Sequence, residues 1–522
     1  MIILLIVSLF LCGFVLVLMT SGINFFFSVN FLSFMGCNWL VNFDFDNVTF
    51  GIMVMLLICF IYVWFYNDHY FIGDNNSSGL LIKIVSLFVS VMGVLICTGD
   101  FLSTLIFWEY LGVVSFFLIL FYDNFLSLRS SVITLISSRF GDVCFVLLIG
   151  LNCYTFNSLL PCLIYFFMII FTKSAGFPFI SWLIEAMRAP TPVSSLVHSS
   201  TLVAAGVWFS MRYDYLQFFN YHSLFSVILL LTIFISGICS MFFVDLKKII
   251  ALSTCNNISW CIIYLLYGDV LLSLFQLLSH GVSKCMLFML VGDVMSGSGG
   301  SQSSNCVYSS YFYGNLNIFG CFSVILGLSG VPFIGIFFTK HFLLSVFINI
   351  STVFVMLFVL FCMLISYIYS FRLCSILLNS NSSVSSGVLF YFNSGVIVYF
   401  WLFMNFYFYF ILDELVYVTT CLSLCLILFQ LFSIIVAIKL YSCNLFSSWS
   451  SSLFGCDNIV ELVYKFFTNM SNIVNLFIFR WDNLMLSLFS GVGCISINSY
   501  NSVMLSILFF NIVGLIIYLL IM

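Results

Sequence analysis

Phe171-Thr172-Lys173-Ser174-Ala175-Gly176-Phe177-Pro178-Phe179 opens a stretch that runs through Trp182 and Glu185 to Ala189-Pro190-Thr191-Pro192-Val193-Ser194-Ser195-Leu196-Val197-His198. It reads as an apolar membrane span, from about Pro161, that breaks in its middle and resumes after Pro192. Pro178 lacks an amide hydrogen and clashes with the preceding turn, and Pro190 and Pro192 hold the chain extended. Non-helical backbone at membrane depth survives only where protein or a water-filled cavity surrounds it. Discontinuous helices of this kind are a recurring device of ion transporters. Lys173 sits just before the break, and an ionisable group inside hydrocarbon is by default a functional-site expectation. The bland alternative is a lysine that snorkels to the interface. Apolar residues flank Lys173 for several turns on its N-terminal side, which argues against it.

The rest of the chain supplies the solvent for that span. Of its 522 residues 63% are hydrophobic and 6% charged, where soluble domains carry about 25% charged residues. Only lipid suits such a surface. Reading apolar windows of about 20 residues gives about fifteen spans. They begin at Met1–Met19 and fall near 47–66, 80–97, 101–122, 131–152, 161–211 (the broken one), 223–243, 248–267, 270–295, 315–338, 341–369, 387–411 and 415–440, ending with 503–522. The Met1–Met19 segment has no basic leader or cleavage site and reads as a first span. Residues 444–500 alternate Ser and Asn with Phe, Leu and Ile, and carry Asp457, Glu461, Lys465, Arg480 and Asp482. That pattern predicts an amphipathic helix along the membrane surface. The fold class is therefore all-α: a polytopic membrane helical bundle with discontinuous helices, an interfacial helix and a terminal anchor helix. Its expected parts are 1–100 (N-terminal spans), 101–372 (the core with the broken span), 373–443 (C-terminal spans), 444–500 (amphipathic helix) and 501–522 (anchor).

A net charge of −4 with no basic run gives no sign of a nucleic-acid partner, and membrane lipids are the expected surroundings. The twenty cysteines form no Cys-x-x-Cys pair, and many lie inside spans, where they act as small apolar residues. No zinc or iron–sulfur pattern is present, so neither a metal site nor a cofactor-binding site is expected. Sixty-seven Phe against few Gln suggests a thymine-rich coding strand, as in an organellar genome.

Further ionisable groups punctuate the apolar windows. Glu109 lies between Trp108 and Tyr110, and a carboxylate there needs a cationic partner. Arg139 and Asp142 are three residues apart on one helix face. Asp245-Leu246-Lys247-Lys248 marks a span boundary. Gln276, His280 and Lys284 repeat every fourth residue, a stripe about 12 Å long that can pass a proton by hydrogen-bond hops. Gly330-Val331-Pro332-Phe333 followed by Lys340-His341 repeats the logic of the first break. Each has a structural alternative: an interfacial glutamate, a self-contained ion pair, a charged loop, a satisfied core histidine, an anchoring lysine.

The stretch Lys173 to Val203 closely resembles the central signature of the antiporter-like, proton-pumping membrane subunits of respiratory NADH:ubiquinone oxidoreductase, complex I. Trp108-Glu109, Arg139-x-Gly141-Asp142, Asp245 to Thr254 and Gly330 to Lys340 are similar to the same family. The resemblance is dense from about residue 43 to 372, and architectural beyond. The amphipathic segment and final span point to the distal, subunit 5 type.

The resemblance implies that Glu109 and Lys173 are the coupled pair of an intake half-channel lined by Arg139, Asp142 and His198. It makes His280 and Lys284 the central relay, with Lys247 connecting and Asp245 and Gln276 supporting. Lys340, next to His341, becomes the exit lysine. It implies helix breaks at Pro178, Pro190, Pro192 and Pro332. NADH, FMN, the iron–sulfur clusters and ubiquinone would belong to other subunits, with none in this chain. The partners would be membrane-arm subunits, especially subunits 4 and 2, in the mitochondrial inner membrane. Two positions depart from the pattern: Gln276 stands where the family usually has His, and His341 where it usually has Asp. The chain is also short for subunit 5, which points to a trimmed C-terminal part. A related cation/proton antiporter shares the core residues, and a non-transporting membrane scaffold is the remaining alternative.

Overall fold

The computed structural model describes residues 24–34, 37–71, 73–154, 159–213, 222–267, 270–310, 316–330, 336–337, 339–341, 343–344, 353–378, 381–383, 420–440, 447–489 and 513. The expected spans at 1–19 and 387–411, almost all of the terminal anchor, and Pro332 lie outside them. The chain forms two units, Met1–Asp457 and Asn458–Met522.

Helices dominate the first unit. They are α1 (Asn47–Tyr70), α2 (Asn75–Cys97), α3 (Phe101–Leu120), α4 (Phe125–Tyr154), α5 (Leu159–Lys173), α6 (Ser181–Ala186), α7 (Thr191–Leu196), α8 (Leu202–Arg212), α9 (His222–Phe242), α10 (Leu246–Tyr267), α11 (Val270–Gly297), α12 (Leu316–Ser329), α13 (Val353–Leu378), α14 (Thr420–Leu440) and α15 (Ser447–Ser451). Among the described residues ten helices are long and apolar enough to cross a membrane. The protein is a multi-pass membrane bundle, as its composition requires. Two boundaries move: the helix expected to end at 369 continues to Leu378, and the one expected over 315–338 stops at Ser329. Gly330, with φ of +84°, turns the chain there.

Burial sorts the helices into layers. The apolar windows of Thr191–Arg212 and Val270–Gly297 are wholly buried and that of Leu246–Tyr267 is 89% buried, against 33% for Phe125–Leu151. The resumed half of the broken span, α10 and α11 therefore form the inside. Their buried positions include Ser194, Ser195, His198, Ser199, Thr201, Ser253, Asn256, Ser273, Gln276, Ser279, His280, Ser283 and Lys284. A lipid-facing helix could not carry that row, because each polar group would lose water without gaining a partner.

Glycines set the approach of the inner helices. A Cβ on Gly206 of α8 would stand 3.2 Å from both the Ile170 carbonyl oxygen and the Ser174 amide nitrogen. A Cβ on Gly141 of α4 would overlap the Thr172 hydroxyl. The end of α5, where Lys173 sits, is thus clamped between two helices at backbone range.

A strand pair was not foreseen. β1 (Phe25–Phe34) pairs antiparallel with β2 (Cys37–Phe45), Phe25 opposite Phe45 and Phe34 opposite Cys37, with a register shift between Asn30 and Leu32. The polar residues Ser28, Asn30 and Ser33 keep this segment from reading as a span, and its aromatic residues favour strand. Asn42 pins the hairpin to the start of α3: its backbone amide donates to Asp100 at 2.7 Å and its side-chain amide at 2.9 Å. Arg212, at the end of α8, bridges Asp44 at 2.6 Å and Asp46 at 2.5 Å. Burial pushes the Asp44 carboxyl up, and the Arg212 guanidinium pulls against it. A short parallel pair, β3 (Tyr308–Ser310) with β4 (Asn381–Ser383), completes the exceptions to an all-α fold.

The last described helix, α16 (Cys456–Phe489), is 34 residues long. Asp457, Glu461, Lys465, Thr468 and Asn472 recur every three or four residues along it, between apolar residues such as Leu462, Phe466, Ile473 and Phe477. That is the amphipathic period the sequence shows.

Candidate functional site

Lys173 ends α5 with 1% exposure. Its ammonium lies 5.0 Å from the centroid of the Trp108 ring, a cation–π distance. A Cβ on Gly112 would be 3.8 Å from Nζ, ordinary contact distance, so this residue of α3 adjoins the lysine head. Among the described residues Nζ has no hydrogen-bond partner. The charges of Asp142, Arg139 and Glu109 reach it across that gap.

Those three form a set of their own. Arg139 stands 3.3 Å from Glu109 and 3.5 Å from Asp142. Asp142 is nearly buried, while Glu109 and Arg139 are 45% and 41% exposed. The structure thus places Arg139, rather than Lys173, in direct contact with Glu109. Glu109 acts on Lys173 from a distance, in competition with the guanidinium.

The break follows at once. Ala175 adopts φ of +56°, a left-handed conformation that costs a residue with a Cβ about 1–2 kcal/mol. The Cys255 thiol of α10 donates to the Ala175 carbonyl at 3.2 Å, satisfying a backbone group the break exposes. Pro178, Pro190 and Pro192 fall in or just beyond this interruption. The chain then re-enters helix at α7, and Val197–Thr201 forms a π-turn carrying His198. Such turns leave carbonyls without their usual amide, and hydroxyls take them here: Thr201 bonds the Leu196 and Val197 oxygens at 3.0 and 3.3 Å, and Ser199 that of Ser195. His198 is fully buried, its ring 6.4 Å from that of Trp182.

The central group joins α10 and α11. Lys284 donates to the Ser253 hydroxyl in a short hydrogen bond, and His280 lies one turn before it, fully buried. Lys247 donates to the Ala189 carbonyl at 3.2 Å, which ties the start of α10 to the break. Asp245 pairs with Lys248 at 2.7 Å, at the surface, and among the described residues Lys247 has no carboxylate within 4.0 Å.

A third group gathers around Lys340. Its ammonium donates to the Ser329 carbonyl at 2.7 Å and the Ser366 hydroxyl at 2.9 Å, and stands 4.2 Å from the Tyr367 ring centroid. Gln430 of α14 donates to the Gly330 carbonyl at 2.7 Å, holding the turn below it. Thr339 donates to the Gln276 side-chain oxygen at 2.8 Å, which links the α11 stripe to the residue beside Lys340. His341 is 1% exposed, its ring 6.2 Å from that of Phe337. Removing the Thr339 hydroxyl leaves the Gln276 oxygen without that donor and loosens the link by about 1 kcal/mol. Thr339→Val is therefore expected to lower the thermal midpoint of the purified protein slightly, and Thr339→Ser to retain it.

Sequence reasoning missed Ser253, Ser366, Tyr367, Thr339 and Gln430 as partners. Thr339 adjoins Lys340 and was within reach of notice. Ser366 and Gln430 come from distant helices, and a lone Ser or Gln in an apolar window carries no signal of its own. Among the described residues no group of three or more His, Cys, Asp or Glu is placed to hold a metal ion.

Residues 98–366, which hold all three lysine groups, match the family model described as NADH:quinone oxidoreductase/Mrp antiporter, TM. The chain belongs to that family. Among curated relatives it is similar to NADH-ubiquinone oxidoreductase chain 5 of Anopheles gambiae, 33% identical over 383 residues, 70% of this chain and 65% of that one. The chain 5 of Anopheles arabiensis is 34% identical over 354 residues, 65% of this chain and 91% of its own. The chain 5 of Caenorhabditis elegans is 33% identical over 292 residues, 53% and 54%. The match thus spans somewhat under two thirds of the Anopheles gambiae chain and about half of the nematode one. Two solved structures share the fold at 17% identity. The Mrp complex of Dietzia sp. has a TM-score of 0.74, covering 94% of this chain and 60% of that chain. An archaeal respiratory membrane complex, the membrane-bound sulfane sulfur reductase, has a TM-score of 0.62, with 87% and 93% covered. Of the motif residues, Trp108, Lys173, His198 and Lys340 are buried, whereas Glu109 is half-exposed.

Proposed function

We propose that this chain is the distal, subunit 5 type membrane subunit of a respiratory NADH:ubiquinone oxidoreductase, and that it translocates protons across the mitochondrial inner membrane. NADH oxidation by FMN and iron–sulfur clusters, and ubiquinone reduction, take place in other subunits. Its neighbours are other membrane-arm subunits, subunits 4 and 2 first. The names of its curated relatives support this placement.

One observation carries the transport reading. Lys173, Lys247, Lys284 and Lys340 are each at most 4% exposed, and none has a carboxylate within 4.0 Å among the described residues. A permanently charged ammonium buried without a counter-ion is expensive, and packing alone would not keep four of them. A lysine that alternates between ammonium and amine is useful there, because a neighbouring charge can move its proton on or off. The Arg139 guanidinium supplies a means: when it holds Glu109 the carboxylate is shielded from Lys173, and when it turns to Asp142 alone Glu109 is freed to attract a proton toward Lys173. Buried hydroxyls and imidazoles then offer donors and acceptors between the lysines.

Purification of the native assembly tests the reading. It is expected to contain flavin and, in sealed vesicles, to acidify the lumen when NADH is oxidised. An assembly without flavin that exchanges sodium for protons would replace the proposal with a free-standing antiporter. Flavin and NADH turnover with no proton movement would leave a scaffold.

A further inference from the structure

Away from the lysine groups, α1 and α11 end beside each other where α7 begins. His69, in the last turn of α1, places Nε2 3.2 Å from Oδ1 of Asp293, in the last turns of α11. Both side chains are 13% exposed, so the pair is almost enclosed yet reaches the surface of the chain. The Tyr66 hydroxyl occupies the place a side chain on Gly292 would take, next to Asp293. Its oxygen is 3.5 Å from the Thr191 hydroxyl, the first residue of the buried half-helix. One turn along that helix, Ser195 contacts the thiol of Cys285, and Cys285 adjoins Lys284. Tyr66, Thr191, Ser195, Cys285 and Lys284 are all at most 3% exposed.

We propose that Asp293 and His69 form a proton port, the solvent-facing mouth of a branch that runs through Tyr66, Thr191 and Ser195 to Lys284. The proposal rests on the transport reading above and adds a branch that no lysine group contains. A clasp between two helix ends needs only apolar packing or a lysine–carboxylate pair. An imidazole facing a carboxylate at 3.2 Å is a different choice, since the pair can pass a proton from one to the other. The carboxylate accepts a proton from solvent and hands it to the imidazole nitrogen, and the tyrosine and threonine hydroxyls can each accept and donate in turn. Asp293 lies nine residues after Lys284, about 13 Å along the helix, so a direct jump is excluded and a side route is needed. The groups facing Asp293 are His69, Tyr66 and Tyr70 from α1, Tyr122 at the end of α3 through its contact with Tyr70 at 3.2 Å, Thr191 from α7 and Cys321 from α12.

The test uses the intact complex in sealed vesicles. Asp293→Asn and His69→Gln keep the shape of the pair and remove its titration. Each is expected to lower the protons moved per NADH by about twofold or more and to change the pH profile of that ratio. Uncoupled NADH turnover should stay at the parent rate. Asp293→Glu should restore the ratio, which a purely structural clasp would not require. If Asp293→Asn fails to assemble, Tyr66→Phe interrupts the same branch with the ring retained and is expected to show the same loss. A parent ratio and pH profile in Asp293→Asn or Tyr66→Phe, with Lys284→Met defective, overturns the port and leaves a clasp. If Lys284→Met also pumps normally, the transport reading itself fails.

Discussion

On the proposed function, Lys173→Met is expected to cut proton translocation through this chain by about tenfold or more, with the complex assembled in parent amounts. The residue has no hydrogen-bond partner to lose among the described residues, and its ammonium stands over a tryptophan ring and a glycine. Methionine has similar length and fills that slot with apolar atoms, so removing a buried unpaired charge should not destabilise the fold. It does remove the ammonium that ends α5 beside the break, the group the proposal assigns to carry a proton. Lys173→Arg makes the complementary case: it keeps the charge and never releases it, so it should fail as well. The measurement is protons moved per NADH in proteoliposomes, beside the amount of assembled complex on a native gel. A parent ratio in Lys173→Met would reduce Lys173 to packing.

Gly206→Val is expected to destabilise the core by about 3 kcal/mol, enough to deplete the assembled complex. The reason is which atoms would be struck. Even a first carbon at this position comes to 3.2 Å from the backbone oxygen of Ile170 and the backbone nitrogen of Ser174, and valine adds two more. Backbone at the end of α5 cannot swing aside as a flexible side chain would, and moving it displaces Lys173 between them. Gly150 provides the control, because a Cβ there meets nothing within 4 Å. Gly150→Ala should be neutral or slightly favourable, since alanine is the better helix former. The comparison is read as complex yield and its thermal midpoint. Equal yields for the two variants would mean that α8 does not hold the break in place.

Much of the fold was legible because lipid imposes one rule. With no water to serve the backbone, a spanning segment must be a long apolar helix, and such helices show in composition alone. The interruption at Lys173 was legible for a related reason: prolines and an ionisable group inside an apolar window break that rule openly. The β1–β2 hairpin was not, because it depends on partners outside its own window, Asp100 and Arg212. The stripe of Gln276, His280 and Lys284 could be read from four-residue spacing. Its link to Lys340 could not, because the Thr339–Gln276 bond joins residues 63 apart. Glu109 and Lys173 looked like partners from their types. The fold set Arg139 against Glu109, since two neighbouring helices brought the guanidinium there first.

By itself the sequence determined that this protein lives in a bilayer as a helical bundle, roughly where many of its spans lie, and that Lys173, Lys247, His280, Lys284 and Lys340 stand within or at the edge of apolar segments. Periodicity and apolarity are local properties, and they suffice for that. The tertiary structure alone decided which hydroxyl, ring or carbonyl each lysine faces, and that Asp293 meets His69 across 224 residues of chain. Those pairings follow from helices meeting at glycine-width distances, a relation between segments that no single window contains.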